Sequence, residues 1–396
     1  MSTSTDSVIT NGELTSRYTR TFMNTFGAPQ LVLVKGEGVH VWDADGKQYL
    51  DLLAGIAVNA LGHAHPAIVE AVTAQLNELG HISNFFTSPA QVALGEKIQQ
   101  IFDASGYDAP VKVFLANSGT EANEAALKLT RLHKPGGKVL SLTHSFHGRT
   151  LGALSITEKP VIREPFEPLP GNVEFVEPTV DALTAAFDDD VAGIFVEPIQ
   201  GEAGVLPLAD GVLAAIRELC DKHGALLVVD EVQTGIGRTG VWLASQQVRA
   251  DVVTLAKGLG GGFPIGACVG VGAAGDIFGP GSHGSTFAGN PVASAAAFAT
   301  LTEVEKLFGH VEETGAWLRT QLESAGYQLR GAGLLLGVEV ADSVVVQKTA
   351  LEAGFIVNAP NATTIRLAPP LVITREQLAP FVAFMNERAR EFARGE

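Results

Sequence analysis

Residues 251–262 of this 396-residue chain read Asp-Val-Val-Thr-Leu-Ala-Lys-Gly-Leu-Gly-Gly-Gly. The first six are mostly apolar and β-branched, as in a buried strand, and Lys257 stands where that strand ends and a glycine loop begins. No charged residue follows Lys257 until Asp276. Because burial disfavours the charged form of an amine, we expect the pKa of Lys257 to lie below its usual value. The segment predicts a reactive lysine at the end of a strand in an α/β fold.

A second apolar run, residues 225–229, reads Ala-Leu-Leu-Val-Val and ends in Asp230-Glu231. A carboxylate at the end of a buried strand requires a cationic partner. An aspartate and a lysine at strand ends are the pair that an enzyme using pyridoxal 5′-phosphate (PLP) needs. The lysine holds the cofactor's aldehyde, and the aspartate keeps its pyridine nitrogen protonated. We therefore expect Lys257 and Asp230 to be catalytic and PLP to be the cofactor.

A candidate phosphate site follows the strand-like residues 111–115. Residues 117–124 read Asn-Ser-Gly-Thr-Glu-Ala-Asn-Glu, and apolar residues then recur at helical spacing. Ser118 and Glu121 match a capping box, and the first turn of a helix offers free N–H groups to an anion. Alone, the segment is typical of an ordinary capped helix. Together with the lysine and the aspartate, it predicts a phosphate-binding helix start.

Length and composition are typical of a large enzyme. A chain of 396 residues is long enough for two domains, and 46% hydrophobic residues with 44 glycines suit a dense α/β core. The formal net charge of −16 argues against nucleic acid or an anionic membrane as a partner. Only two cysteines occur, Cys220 and Cys268, and residues 1–6 do not resemble a signal peptide. We expect no disulfide framework and a cytoplasmic location.

The patterns predict three regions. Residues 1–65 form an N-terminal arm and part of a small domain, with an antiparallel sheet formed by residues 31–46. Residues 66–292 alternate helical and strand patterns, which predicts a large PLP-binding domain with a mostly parallel sheet covered by helices. Residues 293–396 form the C-terminal small domain. Residues 277–302 lack Asp, Glu, Lys and Arg, and we expect a buried loop and helix there, not a membrane span.

Eight motifs span nearly the whole chain. They are Leu-Ala-Gly-Ile-Ala-Val-Asn (53–59), Gly-His-Ala-His-Pro (62–66), Asn-Ser-Gly-Thr-Glu-Ala-Asn-Glu (117–124), Ser-Phe-His-Gly-Arg-Thr (145–150), Glu-Pro-Ile-Gln-Gly-Glu-Ala-Gly (197–204), Asp-Glu-Val-Gln-Thr-Gly-Ile-Gly-Arg-Thr-Gly (230–240), Leu-Ala-Lys-Gly-Leu-Gly-Gly-Gly (255–262) and Gly-Ser-Thr-Phe-Ala-Gly-Asn-Pro (284–291). With them the chain resembles the class III aminotransferases of PLP fold type I, of the ornithine and acetylornithine type. The resemblance implies a large domain with a mostly parallel, seven-stranded sheet covered by helices. It also implies a smaller α+β domain built from both chain ends.

The resemblance further implies a set of cofactor contacts. They are Gly119, Thr120, Phe146, Asp230, Glu231, Val232, Gln233, Lys257 and Thr286. Gly119 and Thr120 would bind the phosphate, and Phe146 and Val232 would pack on opposite faces of the ring. Gln233 would lie beside the phenolic oxygen. In this family the threonine at position 286 reaches the phosphate of the neighbouring subunit, which implies a homodimer with shared active sites.

Arg149 and Arg366 are the candidate substrate-binding arginines. The amino donor and the keto-acid acceptor each carry a carboxylate, which a bidentate arginine binds well. For Arg149 alone, a surface ion pair is the alternative. The resemblance adds Glu202, which can pair with Arg366 and mask it, and Ser285 as a substrate contact. We interpret Glu197 as a structural carboxylate.

The resemblance implies a transamination in arginine biosynthesis in which Lys257 is the general base and acid. The donor is N-acetyl-L-ornithine and the acceptor is 2-oxoglutarate, and the products are N-acetyl-L-glutamate 5-semialdehyde and L-glutamate. Ornithine enzymes of the family have a tyrosine that contacts the free α-amino group where this chain has Gly55, which favours an acylated donor. Succinylornithine, ornithine and 4-aminobutyrate remain alternative donors.

Two other functions remain as alternatives. Residues 235–240 match the dinucleotide fingerprint G-x-G-x-x-G, which suggests an NAD-dependent dehydrogenase. However, residues 230–234 separate the match from its strand, and no helical pattern follows it. A PLP-binding homologue without activity is the other alternative. We expect no metal site, because His63 and His65 have no carboxylate or cysteine at ligand spacing.

Overall fold

The structure, a computed structural model, describes residues 10–393. The strands in this range are β1 (Leu33–Glu37), β2 (His40–Asp43), β3 (Gln48–Asp51), β4 (Val111–Ala116), β5 (Lys138–Leu142), β6 (Val173–Val176), β7 (Val191–Val196), β8 (Ile199–Gln200), β9 (Leu206–Pro207), β10 (Leu226–Asp230), β11 (Val252–Leu255), β12 (Gly266–Val271), β13 (Leu329–Ala332), β14 (Leu335–Glu339), β15 (Phe355–Ile356), β16 (Asn358–Asn361) and β17 (Thr364–Leu367). The α-helices are α1 (Asn11–Thr21), α2 (Ala54–Ala57), α3 (Pro66–Glu78), α4 (Pro89–Ala104), α5 (Gly119–His133), α6 (Leu151–Ser155), α7 (Pro160–Arg163), α8 (Val180–Ala186), α9 (Val212–His223), α10 (Pro291–Val304), α11 (Phe308–Glu323), α12 (Ser343–Glu352), α13 (Arg375–Glu387) and α14 (Ala389–Phe392). Short 3-10 helices cover Glu164–Phe166, Lys257–Gly260, Gly272–Asp276 and Glu305–Leu307.

A seven-stranded sheet with the strand order β4-β12-β11-β10-β7-β5-β6 forms the centre of the large domain. Neighbouring strands are parallel except in the two pairs that involve β12. Along β10, Leu227 and Val229 belong to one core cluster, whereas Val228 belongs to a second cluster with residues of α5. Successive side chains of a strand point to opposite faces, so both faces of this sheet are covered. The predicted mostly parallel sheet is confirmed.

The reversed direction of β12 has a simple cause. Its connection to β11, residues 256–265, contains only a short 3-10 turn at Lys257–Gly260. A parallel neighbour requires a crossover of a dozen or more residues, usually a helix. The chain therefore returns antiparallel, with Leu255 opposite Ala267.

Two four-stranded sheets lie outside the large sheet, with the orders β1-β2-β3-β15 and β13-β14-β17-β16. In the first, the C-terminal strand β15 pairs in parallel with β3, and Phe355 lies opposite Leu50. This pairing joins the two ends of the chain, which confirms a smaller domain built from both of them. The domain limits at 65/66 and 292/293 remain predictions.

The uncharged residues 277–302 differ in part from the prediction. The helix that they enter, α10, is mostly buried, as predicted. The loop before it is half-buried or exposed up to Phe287, whose side chain is 61% exposed, so the prediction of a buried loop is wrong. Loops run over the surface because their backbone polar groups need water, and a lack of charge does not change that need. Across residues 10–393, every helix is too short or too polar to span a membrane.

Candidate active site

The candidate site lies at the edge of the large sheet where β4, β5, β7, β10 and β11 end, because these strands run in the same direction. In open α/β sheets, ligands bind outside the carboxyl ends of the strands. Here the loops after those strands enclose a cavity of about 260 Å³. Its lining consists of Ser118, Gly119, Thr120, Asn123, Phe146, His147, Gly148, Arg149, Glu197, Glu202, Asp230, Val232, Gln233 and Lys257. The structure thus brings together most of the predicted site residues from distant parts of the chain.

Lys257 starts the 3-10 turn that follows β11, and its backbone has a left-handed φ of 43°. Such a conformation costs a non-glycine residue free energy, and it is common at functional sites. Burial lowers the pKa of Lys257 to about 8, and the charge of Glu202 opposes this shift only in part. At pH 7 about one such amine in ten is uncharged, compared with fewer than about one in a thousand for an ordinary lysine. The predicted direction of the pKa shift is confirmed.

Asp230 ends β10 and is held by three hydrogen bonds. The amide of Val232 donates to its Oδ1 at 2.9 Å, and Asn123 Nδ2 and His147 Nδ1 each donate to its Oδ2 at 2.7 Å. Asp230 itself is only 4% exposed. The three donors stabilise the carboxylate and fix its orientation, so that it can hold a proton on a ring nitrogen in the cavity.

Asn123 and His147, which hold Asp230, were not predicted from the sequence as site residues. Asn123 lies one turn into α5, with its Oδ1 accepting from the Thr254 hydroxyl at 2.8 Å, and its Nδ2 also donates to the carbonyl of His147 at 2.8 Å. Both residues belong to motifs already quoted, residues 117–124 and 145–150. The sequence offered one sign of their role, which is that both lie in motifs with other site residues. Their contact with Asp230 can be seen only in the folded structure.

Glu197 and His147 are both buried at the rear of the cavity. Glu197 accepts a hydrogen bond from the amide of Phe146 at 2.9 Å, and burial raises its pKa to about 7. Burial alone would lower the pKa of His147, but its hydrogen bond to Asp230 and the nearby charges outweigh that effect and raise it. Glu197 lines the cavity, which the sequence did not indicate, and its hydrogen bond from the Phe146 backbone is compatible with the structural role that the sequence suggested.

At the other end of the cavity, α5 begins with Gly119. The Ser118 hydroxyl accepts from the amide of Glu121 at 3.2 Å, but the Glu121 carboxylate accepts from Asn117 instead of closing the predicted capping box. A Cβ on Gly119 would lie 2.7 Å from a methyl of Val232, so only glycine lets the helix start approach that residue. The amides of Gly119 and Thr120, the first two residues of α5, have no acceptor within the helix and can donate to an anion.

This donor set fits PLP. The start of α5 suits a phosphate, Asp230 suits a pyridine nitrogen, and Lys257 suits an aldehyde. Phe146 and Val232 also line the cavity, and they offer apolar surface to a flat ring.

Arg366, on β17 of the C-terminal sheet, is 1% exposed. Its Nη1 donates to Glu202 Oε1 at 2.5 Å and to Gln233 Oε1 at 3.1 Å, and its Nη2 donates to Asn358 Oδ1 at 2.7 Å. Burial alone would raise the pKa of Glu202, but Arg366 and Lys257 hold it below its usual value. The predicted partner of Arg366 is therefore in contact with it.

Arg149 differs from Arg366 in having an exposed side chain. Its guanidinium carbon lies 5.9 Å from the centre of the Phe146 ring. Within the part of the chain that the structure describes, no acidic side chain forms an ion pair with it. Arg149 is thus available to a carboxylate that enters the cavity, and the surface ion pair considered as its alternative is not observed.

Glu231 does not reach the cavity, although it adjoins Asp230. Its carboxylate is fully buried and accepts from the amide of Ser245 at 2.7 Å and from the Thr234 hydroxyl. Adjacent residues at a strand end point to opposite sides, so the aspartate faces the cavity and Glu231 faces the core. Glu231 is absent from the cavity lining, and its contact with the cofactor remains a prediction.

Ser285 and Thr286 also lie outside the cavity of their own chain. The Ser285 hydroxyl accepts from Asn117 Nδ2 at 3.0 Å, and its carbonyl accepts from Asn84 Nδ2 at 2.9 Å. Ser285 lines a separate surface groove of about 450 Å³, and Thr286 is exposed. Neither residue can serve the Lys257 cavity of the same chain in this position.

Residues 235–240 lie in consecutive turns and are not followed by a helix. A Cβ on Gly237 would lie 2.6 Å from a methyl of Val304, so this glycine serves close packing and not a dinucleotide.

His63 Nε2 lies 2.8 Å from Asp51 Oδ2, and within residues 10–393 no three potential metal ligands form a group. Cys220 and Cys268 are both buried free thiols.

Comparisons with known proteins agree with this geometry. The family model of class III aminotransferases matches residues 23–388. The acetylornithine aminotransferase of Mycolicibacterium smegmatis is 50% identical over 93% of this chain and 96% of its own length. The structure of the N-acetylornithine aminotransferase from Stenotrophomonas maltophilia has a TM-score of 0.78 and 33% identity, with 92% of this chain and 96% of that one covered.

An ornithine aminotransferase from Toxoplasma gondii, with PLP at partial occupancy in its active site, has a TM-score of 0.90 and 34% identity. The alignment covers 96% of this chain and 94% of that one. Together with the match over residues 23–388, these likenesses establish that the chain belongs to the class III aminotransferases, a PLP-dependent family.

Proposed function

We propose that this protein transfers an amino group from N-acetyl-L-ornithine to 2-oxoglutarate, giving N-acetyl-L-glutamate 5-semialdehyde and L-glutamate in arginine biosynthesis. The observation that carries the proposal is a pair of unlike arginines at the site: Arg149 lines the cavity, and Arg366 contacts the cavity-lining residues Glu202 and Gln233. Arg149 is exposed and has no ion-pair partner within residues 10–393, whereas Arg366 is buried against Glu202. One arginine is ready for a carboxylate and the other is masked by an acid.

This asymmetry suits two substrates that differ in charge. N-acetylornithine has one carboxylate, which Arg149 binds while its far amine reaches Lys257 and Glu202 stays on Arg366. 2-Oxoglutarate has two carboxylates, so the second one replaces Glu202 on Arg366. Bidentate arginine–carboxylate pairs are strong and directional, and they hold both substrates in one orientation.

The side chains of the cavity have separate tasks. When bound, PLP supplies an aldehyde for the amino group and a ring that accepts electrons. Lys257 Nζ removes the proton from the amine-bearing carbon of the donor and returns one to the acceptor carbon. Asp230 would hold a proton on the ring nitrogen, and Phe146 and Val232 would offer apolar surface to the ring. Gly119 and Thr120 would bind the phosphate, and Gln233 would bind the phenolic oxygen.

We propose a homodimer in which Ser285 and Thr286 complete the partner's site. Both residues lie outside their own cavity, beside the surface groove. Phe85, Phe86 and Phe287 expose 93%, 71% and 61% of their side chains in the single chain. Exposed aromatic groups of this kind mark interaction surfaces, and a second copy is the partner that a shared site requires. The buried free thiols are consistent with a reducing, cytoplasmic setting.

The backbone near Gly55 supports the choice of an acylated donor. Ala54, Gly55, Ile56 and Ala57 all have left-handed φ values between 50° and 67°. A Cβ at Gly55 would lie 3.3 Å from Asn59 Nδ2. A bulky side chain such as tyrosine would therefore be strained there, which keeps the position small. By the family resemblance, this is the position where ornithine enzymes have the tyrosine that contacts the α-amino group. Relatives named acetylornithine aminotransferase support the same choice.

A steady-state comparison of donors tests the proposal. With 2-oxoglutarate saturating, we expect kcat/KM for N-acetylornithine to exceed the value for ornithine by at least about tenfold, because the α-ammonium of ornithine would be unpaired in the cavity at a cost on the order of 1–3 kcal/mol. We expect it to exceed the value for 4-aminobutyrate as well, because that donor has no acylamino group to contact the cavity. N-succinylornithine serves as the control for an acylated but bulkier donor. A value for ornithine or 4-aminobutyrate that equals or exceeds the N-acetylornithine value would contradict the proposal.

A further inference from the structure

The loop that carries Arg149 packs unusually close to helix α5. A Cβ on Gly148, before the arginine, would lie 2.0 Å from Thr120 Oγ1. A Cβ on Gly152, after it, would lie 2.1 Å from Glu124 Oε2. A side chain at either position would therefore displace the side chain of Thr120 or Glu124 from its present place beside this segment.

Two side chains of α5 hold the loop by hydrogen bonds to its backbone. Thr120 Oγ1 accepts from the amide of Arg149 at 3.2 Å, and the Thr150 hydroxyl lies 3.0 Å from the same oxygen. Glu124 Oε1 accepts from the amides of Gly152 and Ala153 at 2.9 and 3.1 Å. Thr120 and Glu124 are four residues apart, so they lie on one face of α5. Thr120 contacts the loop at Arg149 and Thr150, and Glu124 contacts the first turn of α6, which follows that loop directly.

We propose that Thr120 and Glu124 are positioning residues for Arg149, so that one face of α5 sets the distance between the phosphate of the cofactor and the carboxylate of the substrate. The inference rests on the proposed function in one respect, which is that Arg149 binds the substrate's carboxylate. Thr120 and Gly119 lie at the first turn of α5, and Thr120 lines the cavity.

Because a hydroxyl is both a donor and an acceptor, Thr120 can contact the cofactor's phosphate and the backbone of the Arg149 loop at the same time. Its proton can be donated to a phosphate while its lone pairs accept from the backbone of Arg149 and Thr150. Phosphate binding then selects the hydroxyl orientation that also holds the loop. Glu124 makes no such contact with the cofactor, since it is absent from the cavity lining. Its effect on Arg149 is therefore separable from cofactor binding.

The arginine needs this support because its own side chain is not anchored by an ion pair within residues 10–393. A long, exposed side chain loses conformational entropy when it binds a ligand, and a fixed backbone reduces that cost. Loosening the loop should therefore weaken carboxylate binding more than it affects the chemical step. The expected signature is a change in KM or Kd at nearly constant kcat.

The test compares Glu124→Ala with Glu124→Gln in the PLP-loaded protein. Glutarate, a dicarboxylate without a reactive carbonyl, is the probe, and its Kd is read from the change in the cofactor's visible absorbance. Because glutamine keeps an oxygen acceptor, we expect Kd to rise about tenfold in the alanine variant and less than about threefold in the glutamine variant. The affinity for PLP should change less than about threefold in both.

Hydrogen–deuterium exchange supplies a readout that does not depend on activity. The amides in residues 148–153 should exchange faster in Glu124→Ala than in wild type, and Glu124→Gln should restore most of the protection. Gly152→Ala would place a methyl group against the Glu124 carboxylate and displace it from the amides of Gly152 and Ala153. It should therefore reproduce both effects, and it replaces Glu124→Ala if that variant does not fold. Wild-type glutarate affinity in Glu124→Ala or Gly152→Ala would overturn the proposal. So would an equal loss of affinity in the glutamine variant. If wild-type protein does not transaminate N-acetylornithine while the glutarate results hold, only the proposed function fails.

Discussion

At the scale of single residues, the cavity is defined by ionisable groups whose pKa values are pushed apart. Arg366 and Lys257 lower the pKa of Glu202, whereas burial raises that of Glu197 to about 7. Burial lowers the pKa of Lys257 to about 8. Perturbed pKa values of opposite direction in one cavity are typical of acid–base catalysis. The cavity can therefore hold or release protons near neutral pH.

The raised pKa of Glu197 has a consequence for stability. Its pKa rises from 4.5 to about 7 on folding, so between these values the folded chain binds more protons than the unfolded chain. The stability due to this shift is complete below pH 4.5 and is lost as the pH rises through 7. A glutamine at position 197 does not titrate, so the Glu197→Gln variant does not lose stability in this way as the pH rises.

We therefore expect the unfolding free energy of Glu197→Gln, relative to wild type, to rise between pH 4.5 and 7 and then level off. The total change should be on the order of 2 kcal/mol. Urea denaturation of both proteins with equal cofactor loading measures it, and Glu78→Gln, at an exposed position on α3, serves as the control. A difference between Glu197→Gln and wild type that is independent of pH would contradict the shift.

The role of a residue could be predicted from the sequence where its neighbours along the chain indicate its environment. Lys257 and Asp230 each end an apolar run, and that context alone predicts a charged group at a strand end. Asn123, His147 and the cavity-lining role of Glu197 were missed because each depends on a partner far away in sequence. A buried hydrogen bond between distant residues leaves no local pattern.

At the scale of elements, helices with clear termini were the most predictable. Residues 212–219, Val-Leu-Ala-Ala-Ile-Arg-Glu-Leu, have a helical pattern, and Gly224 predicts the end of that helix. The observed helix is α9, whose C-cap glycine has a left-handed φ of 62°. The direction of β12 was not predictable, because buried parallel and antiparallel strands have the same apolar composition. The four left-handed residues of 54–57 were also hidden, since three of them are not glycine. Their conformation depends on packing that the sequence does not display.

At the scale of the whole molecule, the proposed sharing of sites between two chains can be tested with mixed dimers. Lys257→Ala and Thr286→Ala chains, each inactive or weakened alone, would form heterodimers in which one site carries both changes and the other carries neither. We expect mixtures of the two variants to recover activity toward about a quarter of the wild-type value, because about half of randomly paired dimers are mixed and each has one intact site.

Two controls make the mixing experiment specific. Mixing two preparations that both carry Lys257→Ala should give no recovery. Mixing Lys257→Ala with Asp230→Asn chains should give none either, since both residues line the same cavity within one chain. An absence of recovery in the Thr286 mixture, with heterodimers present by native mass spectrometry, would contradict a shared site.

The measurement that tests the central claim most directly is a pair of half-reactions followed by visible absorbance. We expect the absorption band of the lysine-bound cofactor to disappear when stoichiometric N-acetylornithine is added to the PLP-loaded protein, and to return when 2-oxoglutarate follows. Lys257→Ala should bind PLP without showing that band and should lose turnover by several orders of magnitude, because no other amine replaces it. A band that N-acetylornithine leaves unchanged in the wild type, or near-normal turnover by Lys257→Ala, would contradict the account.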